Sequence, residues 1–310
     1  MLKEISIEII RKCPNNCLHC SSFSNKNCSE IIPYELFKKV VSGAKNLGLK
    51  TVCFSGGEPF LHPDIIEMIE YVYDIGLDSY VYSSGIYMDK DDIRGPIPQQ
   101  IFDRISNKVT KIIYNIEATQ KETYDIIMGT HGCFEFLKES IRRTTEAGVV
   151  AEGHFVPNRL NQNQIEETLQ FCIGLGVSKV SFLRLVNHGR ARENSDKLLL
   201  SNEQIADIKC KLVKILNENK YSIRIGVPLL GETEECHCEA ANGKLNIRYD
   251  GKVFPCEVFK NNGVEPLSDC EPDNIYEKSI EYIYKDSLYL KKARELVKSH
   301  VGCILSLIHI

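Results

Sequence analysis

Three cysteines lie within eight residues near the start of the chain, and no other feature restricts the fold as strongly. Cys13, Cys17 and Cys20 occupy the segment Cys-Pro-Asn-Asn-Cys-Leu-His-Cys, directly after an alternating, β-branched run that predicts a strand. Thiolates so close in sequence cannot reach distant parts of a fold, but they can turn inward from one loop to hold one iron–sulfur cube. A cube takes four ligands, so three cysteines leave one iron open, as in a catalytic zinc site.

The Cys-x3-Cys-x2-Cys spacing resembles the cluster motif of radical S-adenosylmethionine (SAM) enzymes. The segment Phe54-Ser55-Gly56-Gly57-Glu58-Pro59 is similar to the Gly-Gly-Glu-Pro segment that meets the SAM amino group in that family. One departure is His19, because the family most often has a larger aromatic residue before the third cysteine. The resemblance implies a [4Fe-4S] cluster on the three cysteines. It also implies SAM contacts from four residues of the second motif: Gly56, Gly57, Glu58 and Pro59.

Composition limits the partners and the compartment. A chain of 310 residues suits about two domains, or one barrel with an appendage. The formal net charge of −4 provides no basic field for nucleic acid, and no apolar run approaches the roughly 18 residues of a membrane span. Thirteen cysteines without a signal peptide indicate metal ligands in a reducing compartment. We therefore expect a cytoplasmic protein with neither a nucleic-acid nor a membrane partner.

Alternating strand and helix patterns predict the fold class. Six strand-like runs are expected at 4–10, 50–54, 79–82, 109–116, 149–156 and 180–186. The intervening segments have helical spacing, and such alternation implies a parallel sheet with right-handed crossovers. The predicted fold is α/β: a partial (β/α)6 TIM-like barrel with a small C-terminal α+β domain.

In such barrels the chemistry gathers at the carboxyl ends of the strands. The family resemblance extends, more weakly, to three of these ends and implies SAM contacts from Ser83, Asn115 and Arg184. Asn115 would bond the ribose, and Arg184 would pair with the SAM carboxylate through its bidentate guanidinium. The alternative is that these are loop residues without a ligand. The turn Asn187-His188-Gly189-Arg190 also resembles a family turn, and the sequence assigns it no role.

Cysteines return in the last third of the chain. Cys238, Gly251 and Cys256 fit a pattern of Cys, about a dozen residues, Gly, four residues and Cys, which resembles the auxiliary-cluster domain of the SPASM and twitch subgroups. Asp250-Gly251 is a hairpin signal, and a hairpin would return the second cysteine beside the first. The resemblance implies an auxiliary Fe–S cluster on Cys238 and Cys256. Three further cysteines are candidate ligands: Cys236, Cys270 and Cys303.

These patterns divide the chain into a barrel at 1–198, a linking helix at 199–222, an auxiliary-cluster domain at 223–303 and a tail at 304–310. The tail ends in Leu-Ser-Leu-Ile-His-Ile, which looks like a translated transposon-end sequencing adapter, so we interpret it as non-native and the protein as truncated. The alternative is an ordinary apolar C-terminus. Because further cysteines are expected after Cys303, the auxiliary site should be incomplete, with Cys236 or Cys270 as substitutes.

The resemblance implies that a reduced cluster splits SAM into methionine and a 5′-deoxyadenosyl radical that abstracts hydrogen. Such chemistry requires a reducing partner such as flavodoxin or ferredoxin. The auxiliary-domain resemblance favours a peptide or protein substrate and therefore a peptide maturase. Two alternatives stay open: a small-molecule or cofactor-biosynthesis radical SAM enzyme, and a non-catalytic Fe–S or zinc protein. No catalytic residue is identified from the sequence.

Overall fold

The computed structural model describes residues 1–230, 238–261, 267, 269–299 and 303. Strands and helices alternate along the chain as the sequence predicts. The strands are β1 (Glu4–Ile10), β2 (Thr51–Gly56), β3 (Asp78–Ser83), β4 (Ile86–Met88), β5 (Arg94–Pro96), β6 (Lys111–Asn115), β7 (Ala151–Phe155), β8 (Lys179–Phe182), β9 (Ile223–Ile225), β10 (Lys244–Ile247) and β11 (Val253–Phe254).

Nine of the described strands form one sheet, in the spatial order β11-β10-β1-β2-β3-β6-β7-β8-β9. All neighbouring strands in this sheet are parallel except β10 and β11, which are antiparallel. The six strands expected from the sequence are the consecutive run from β1 to β8, and β4 and β5 form a separate hairpin. The predicted α/β fold with a partial barrel is confirmed. Strands β9 and β10, which follow residue 198, extend the same sheet at its two sides.

The helices connect and cover the strands. They are α1 (Tyr34–Asn46), α2 (Ile65–Asp74), α3 (Gln99–Ile105), α4 (Lys121–Met128), α5 (Phe134–Glu146), α6 (Ile165–Gly174), α7 (Arg190–Glu193), α8 (Ser195–Leu198), α9 (Asn202–Asn217), α10 (Val227–Leu230), α11 (Ile280–Asp286) and α12 (Leu288–Lys298). The linking helix expected between the barrel and the C-terminal region corresponds to α9, whose N-terminus has a Ser201–Gln204 capping box.

Alternation along β1 separates an apolar face from a polar one. Ile5, Ile7 and Ile9 belong to the main hydrophobic core, and in that core Phe37 of α1 stacks on Phe54 of β2 with ring centroids 5.5 Å apart. The intervening β1 residues, Ser6 and Glu8, point to the opposite face of the sheet and are also buried. The face of β1 opposite the hydrophobic core is therefore polar.

The C-terminal region matches one expectation and departs from another. The hairpin at Gly251 is confirmed: β10 and β11 pair antiparallel, and Gly251 has a φ of +85°, which favours glycine. The sequence pattern over 280–297 predicts one long helical stretch, whereas the structure has two helices there, α11 and α12. Ser287 separates them because its Oγ accepts a hydrogen bond from the Leu290 N–H at 3.2 Å and thereby caps a new helix.

Across the described ranges, no helix is both long enough and apolar enough to cross a membrane. Cys236 and the tail at 304–310 lie outside the described residues.

Candidate cluster and cofactor site

The first cysteine loop follows β1 at the carboxyl edge of the sheet. Cys13 is buried, and Cys17 and Cys20 are half-buried. Burial, and after it the proximity of Cys17, raises the pKa of the Cys13 thiol well above its ordinary value. Burial and the neighbouring Cys20 likewise raise the pKa of Cys17. The three thiols are therefore close together, and they would ionise readily only with a bound cation to compensate.

This donor set suits a cube better than a single ion. Among the described residues, no three His, Cys, Asp or Glu side chains are grouped so that they could hold one metal ion. In a [4Fe-4S] cube each thiolate binds a different iron, so three ligands from one loop need not meet at a single point. The chemistry and burial of Cys13, Cys17 and Cys20 fit such a cluster.

Helix α4 holds the loop from one side. The N–H of Asn16 donates to the Met128 carbonyl at 3.1 Å, and the N–H of Leu18 donates to the Ile127 carbonyl at 2.8 Å. Gly129 ends the helix with a φ of +60°, and a Cβ there would overlap the Asn16 carbonyl. Only glycine permits this approach, so the loop conformation depends on the end of α4.

The Gly56-Gly57 turn packs on the other side of the loop. A Cβ on Gly56 would overlap the carbonyl oxygen of Ile10, and a Cβ on Gly57 would overlap that of Lys12. The Gly57 N–H donates to the Ile10 carbonyl at 2.6 Å, and the Glu58 N–H donates to the Lys12 carbonyl at 2.9 Å. The structure therefore brings the two predicted motifs together along a shared backbone contact.

Glu58 is fully buried and joins the second motif to the turn after β3. Its carboxylate accepts hydrogen bonds from Ser83 Oγ at 2.8 Å, from Ser84 N at 2.8 Å and from Ser84 Oγ at 2.6 Å. The Phe60 N–H is a further donor, and Pro59 begins the short 3-10 helix Pro59–Leu61. Burial raises the pKa of Glu58 to about 6. Hydrogen-bond donors of the protein itself therefore satisfy the Glu58 carboxylate. Glu58 and Ser83 contribute to the site by holding the second motif and the turn after β3 together.

Asn115 and Arg184 are the remaining predicted SAM contacts. Asn115 is the last residue of β6, and Arg184 follows the end of β8 by two residues. Both side chains are half-buried. Neither has a hydrogen bond or an ion pair to another side chain in the part of the chain that the structure describes. Both lie at the carboxyl edge of the sheet, where the cysteine loop also lies.

Glu117 is a site residue for which the sequence suggested no role. It is 1% exposed, and its two carboxyl oxygens lack hydrogen-bond partners among the described residues. Its nearest charged-group contact is His19, with Nε2 3.5 Å from Oε1. Burial raises the pKa of Glu117 to about 8, whereas burial and the charge of Arg190 lower the pKa of His19 to about 4. Both groups are therefore mainly neutral at pH 7. The sequence feature that could have drawn attention to Glu117 is His19, the unusual histidine before the third cysteine, because its side chain contacts Glu117.

The turn at Arg190, which had no assigned role, covers the cysteine loop. The Arg190 guanidinium donates from Nε to the Cys17 carbonyl at 2.8 Å and from Nη2 to the Ser24 carbonyl at 2.8 Å. Its backbone N–H donates to the Cys20 carbonyl at 2.9 Å. Three main-chain oxygens of the loop region are thus satisfied by this one residue.

The C-terminal cysteines form a second group. Burial raises the pKa of Cys256, and the nearby Cys238 and Cys303 raise it further. Burial also raises the pKa of Tyr289, with smaller contributions from Cys256 and Cys270. Four of the five candidate auxiliary thiols therefore lie in one neighbourhood.

Lys260 connects this second group to the first loop. Its Nζ donates to Glu8 Oε1 at 2.5 Å and to Ser22 Oγ at 2.9 Å, and Ser22 Oγ donates to Glu8 Oε1 at 2.7 Å. Lys260 is 4% exposed and Glu8 is 0% exposed. The next residue, Asn261, donates from its side chain to the Ser21 carbonyl. The segment after Cys256 is therefore anchored immediately beyond Cys20.

Fold and site together define the class of protein. The sequence profile of the Radical SAM superfamily matches residues 7–172, more than half of the chain. The chain belongs to the radical SAM superfamily. It is therefore a radical SAM enzyme, which binds SAM at a [4Fe-4S] cluster.

Several known proteins are similar to this chain at low sequence identity, but the similarity covers most of its length. The PqqA peptide cyclase of Bradyrhizobium diazoefficiens is 23% identical over 264 residues, which cover 83% of this chain and 67% of the relative. A probable GTP 3′,8-cyclase of Saccharolobus islandicus is 24% identical over 277 residues, 86% of either chain. Streptococcus suis SuiB bound to S-adenosylmethionine has a similar fold, with a TM-score of 0.78 at 16% identity over 100% of this chain and 75% of SuiB. SuiB bound to its precursor peptide SuiA has the same TM-score of 0.78, with 73% of that chain covered.

Proposed function

We propose that this protein is a peptide maturase of the SPASM/twitch subgroup that abstracts hydrogen from a peptide or protein substrate. The convergence of the three-cysteine loop and the Gly56-Gly57-Glu58 turn at the carboxyl edge of the sheet supports the radical chemistry, and the relatives named for peptide partners support the substrate class. Cys13, Cys17 and Cys20 would hold the cluster. The cluster and SAM supply a 5′-deoxyadenosyl radical when an external donor, such as flavodoxin or ferredoxin, provides the electron.

The residues of this chain would bind and orient SAM. Gly56 and Gly57 keep the second motif against the cysteine loop, and Glu58 holds the Ser83-Ser84 turn. Asn115, with an amide free for the ribose hydroxyls, and Arg184, with a guanidinium suited to the SAM carboxylate, complete the proposed contacts. Ser6 and Glu8, which are buried on the face of β1 opposite the core, would contribute polar groups to the interior of the barrel.

An auxiliary Fe–S cluster is the second part of the proposal. Cys238, Cys256, Cys270 and Cys303 are the candidate ligands, and the neighbourhood that they share supports them. Cys270 would serve as the substitute ligand. Residues 1–198 would then form the radical SAM barrel, and 223–303, which follow the linking helix in sequence and contribute β9 and β10 to the same sheet, would form the auxiliary-cluster region.

Relatives support a peptide substrate. The PqqA peptide cyclase and SuiB with its precursor peptide are both named for peptide partners, and their similarity extends over most of this chain. A second candidate is a small-molecule cyclase, which the match to a probable GTP 3′,8-cyclase over 86% of both chains favours.

The first test is anaerobic incubation of the reconstituted protein with SAM and dithionite. We expect wild-type protein to release 5′-deoxyadenosine and Cys13→Ala to release none, because the cluster loses one of its three ligands. Cys210→Ala, at an exposed cysteine of α9, is the matched control and should retain full cleavage. Cleavage retained in Cys13→Ala would contradict the cluster assignment.

The second test separates the two substrate classes. Peptides encoded by short reading frames beside the gene would be supplied in deuterated form, in parallel with deuterated GTP. Deuterium in the 5′-deoxyadenosine identifies the molecule from which hydrogen is abstracted. Transfer from GTP and from no peptide would replace the peptide proposal with the small-molecule one.

A further inference from the structure

Helix α7 crosses the first cysteine loop at very short range. The carbonyl oxygens of Cys20 and Ser21 would both clash with a Cβ on Gly189, whose φ of +53° also favours glycine. The backbone N–H of Arg190 can then reach the Cys20 carbonyl at 2.9 Å. Asn194 adds a hydrogen bond from Nδ2 to the Leu18 carbonyl at 3.2 Å. The contact is therefore built from several residues and is specific to this loop.

The Arg190 guanidinium brings a positive charge to the loop. Its hydrogen bonds go to the carbonyl oxygens of Cys17 and Ser24, and no carboxylate of the described chain lies within ion-pair distance of it. Burial and Cys20 disfavour the ionised Cys17 thiol, and the charge of Arg190 opposes both effects. An arginine side chain stays protonated at any working pH. The charge at this position is therefore permanent and is not cancelled by a neighbouring acid.

We propose that Arg190 is a positioning residue with two separable effects: its forked guanidinium holds the cysteine loop closed, and its charge raises the reduction potential of the SAM-binding cluster. This inference rests on the proposed cluster assignment. Reduction adds a negative charge to the cluster, and a fixed cation at short range stabilises the reduced form more than the oxidised form. The carbonyl contacts act differently, because they restrict the loop whether or not the charge is present.

Three substitutions separate the two effects. Arg190→Lys keeps the charge but loses the planar fork that reaches two carbonyls. Arg190→Gln keeps an amide donor but loses the charge, and Arg190→Met loses both. Arg192→Met is the matched control, because Arg192 is exposed on the same short helix and has the same charge.

The experiment is a redox titration of the reconstituted full chain, followed by electron paramagnetic resonance. The signal of the first cluster is recognised by its change when SAM is added. We expect Gln and Met at position 190 to reduce the ratio of reduced to oxidised cluster about tenfold at a fixed potential, which is about 59 mV for a one-electron couple. The Lys variant and Arg192→Met should titrate with the wild type.

Iron release to a chelator measures the second effect. We expect release to be several-fold faster in the Lys and Met variants, whereas Arg192→Met should match the wild type. Equal potentials in the Gln and Lys variants would overturn the role of the charge, and wild-type iron release in the Lys variant would overturn the role of the fork. The comparison of Arg190→Gln with Arg190→Lys decides the outcome even if Arg190→Met does not fold. A wild-type protein without a SAM-responsive cluster would instead overturn the proposed function.

Discussion

The two cysteine groups of this protein are assembled in opposite ways. The first lies in one eight-residue loop, and contacts from α4, the Gly56-Gly57 turn and α7 hold that loop in shape. The second collects Cys238, Cys256, Cys270 and Cys303 from a hairpin and the segments around two helices. Local spacing selects the ligands of the first group, whereas the fold of the C-terminal region selects those of the second. The two sites should therefore respond differently to the loss of a single residue.

The largest difference should appear in iron content. With Cys270 as the substitute ligand proposed above, reconstituted wild-type protein should contain about eight irons per chain and Cys256→Ala about four, because only the proposed auxiliary cluster loses a central ligand. Cleavage of SAM should persist in this variant. Iron analysis and the 5′-deoxyadenosine assay measure both quantities, with Cys210→Ala as the control. About four irons in the wild type would instead indicate an incomplete auxiliary site.

The link between the two groups should have a measurable effect on stability. Lys260→Met leaves Glu8 as an uncompensated buried acid, and we expect the free energy of unfolding of the apo protein to fall by about 3–5 kcal/mol. Adding Glu8→Gln should restore much of that loss, since the unpaired charge is removed. Lys252→Met is the matched control, because Lys252 pairs with the largely exposed Glu271 and such pairs contribute about 0–1 kcal/mol. Denaturant titration gives all four values, and equal costs at positions 260 and 252 would mean that the link contributes little.

A smaller effect is expected at Glu117, beside the first loop. Its pKa of about 8 in the folded protein lies above its ordinary value of 4.5, so between these values the folded state binds one more proton than the unfolded state. The contribution of this group to stability is present at low pH and is lost as the pH rises through about 8. Relative to Glu117→Gln, the wild-type apo protein should lose about 2 kcal/mol of unfolding free energy between pH 6 and pH 8.

Glu122→Gln is the control for this measurement, because Glu122 is an exposed acid of the neighbouring helix α4. The free energy of unfolding of Glu122→Gln should change with pH in the same way as that of the wild type. Parallel stability curves for wild type and Glu117→Gln would show that the buried carboxyl is solvated or paired in solution. The pKa of His19 in the folded protein, about 4, lies below this pH window, so its effect cancels in the difference.

Much of the fold could be predicted because the signals were local. The period-2 runs became β1, β2, β3, β6, β7 and β8, and the Asp250-Gly251 turn became the β10–β11 hairpin. The sequence also predicts short β-like segments from Ile223 onward, and β9 is one of them, but its pairing with β8 could not be predicted because no local pattern specifies it. The break at Ser287 was also missed, although serine is a common helix N-cap.

The site also has some features that local sequence patterns predict and others that only the tertiary structure determines. The sequence by itself determined the three-cysteine loop, the Gly-Gly-Glu-Pro turn and the positions of Asn115 and Arg184 near the ends of strands, because motif spacing and strand ends are properties of short segments. Only the tertiary structure decided that Arg190 bonds Cys17, 173 positions away, and that Lys260 bonds Glu8, 252 positions away. The physical reason is that a hydrogen bond or a charge acts over a few ångströms in space, and no local pattern specifies which distant residues the folded chain brings to that distance.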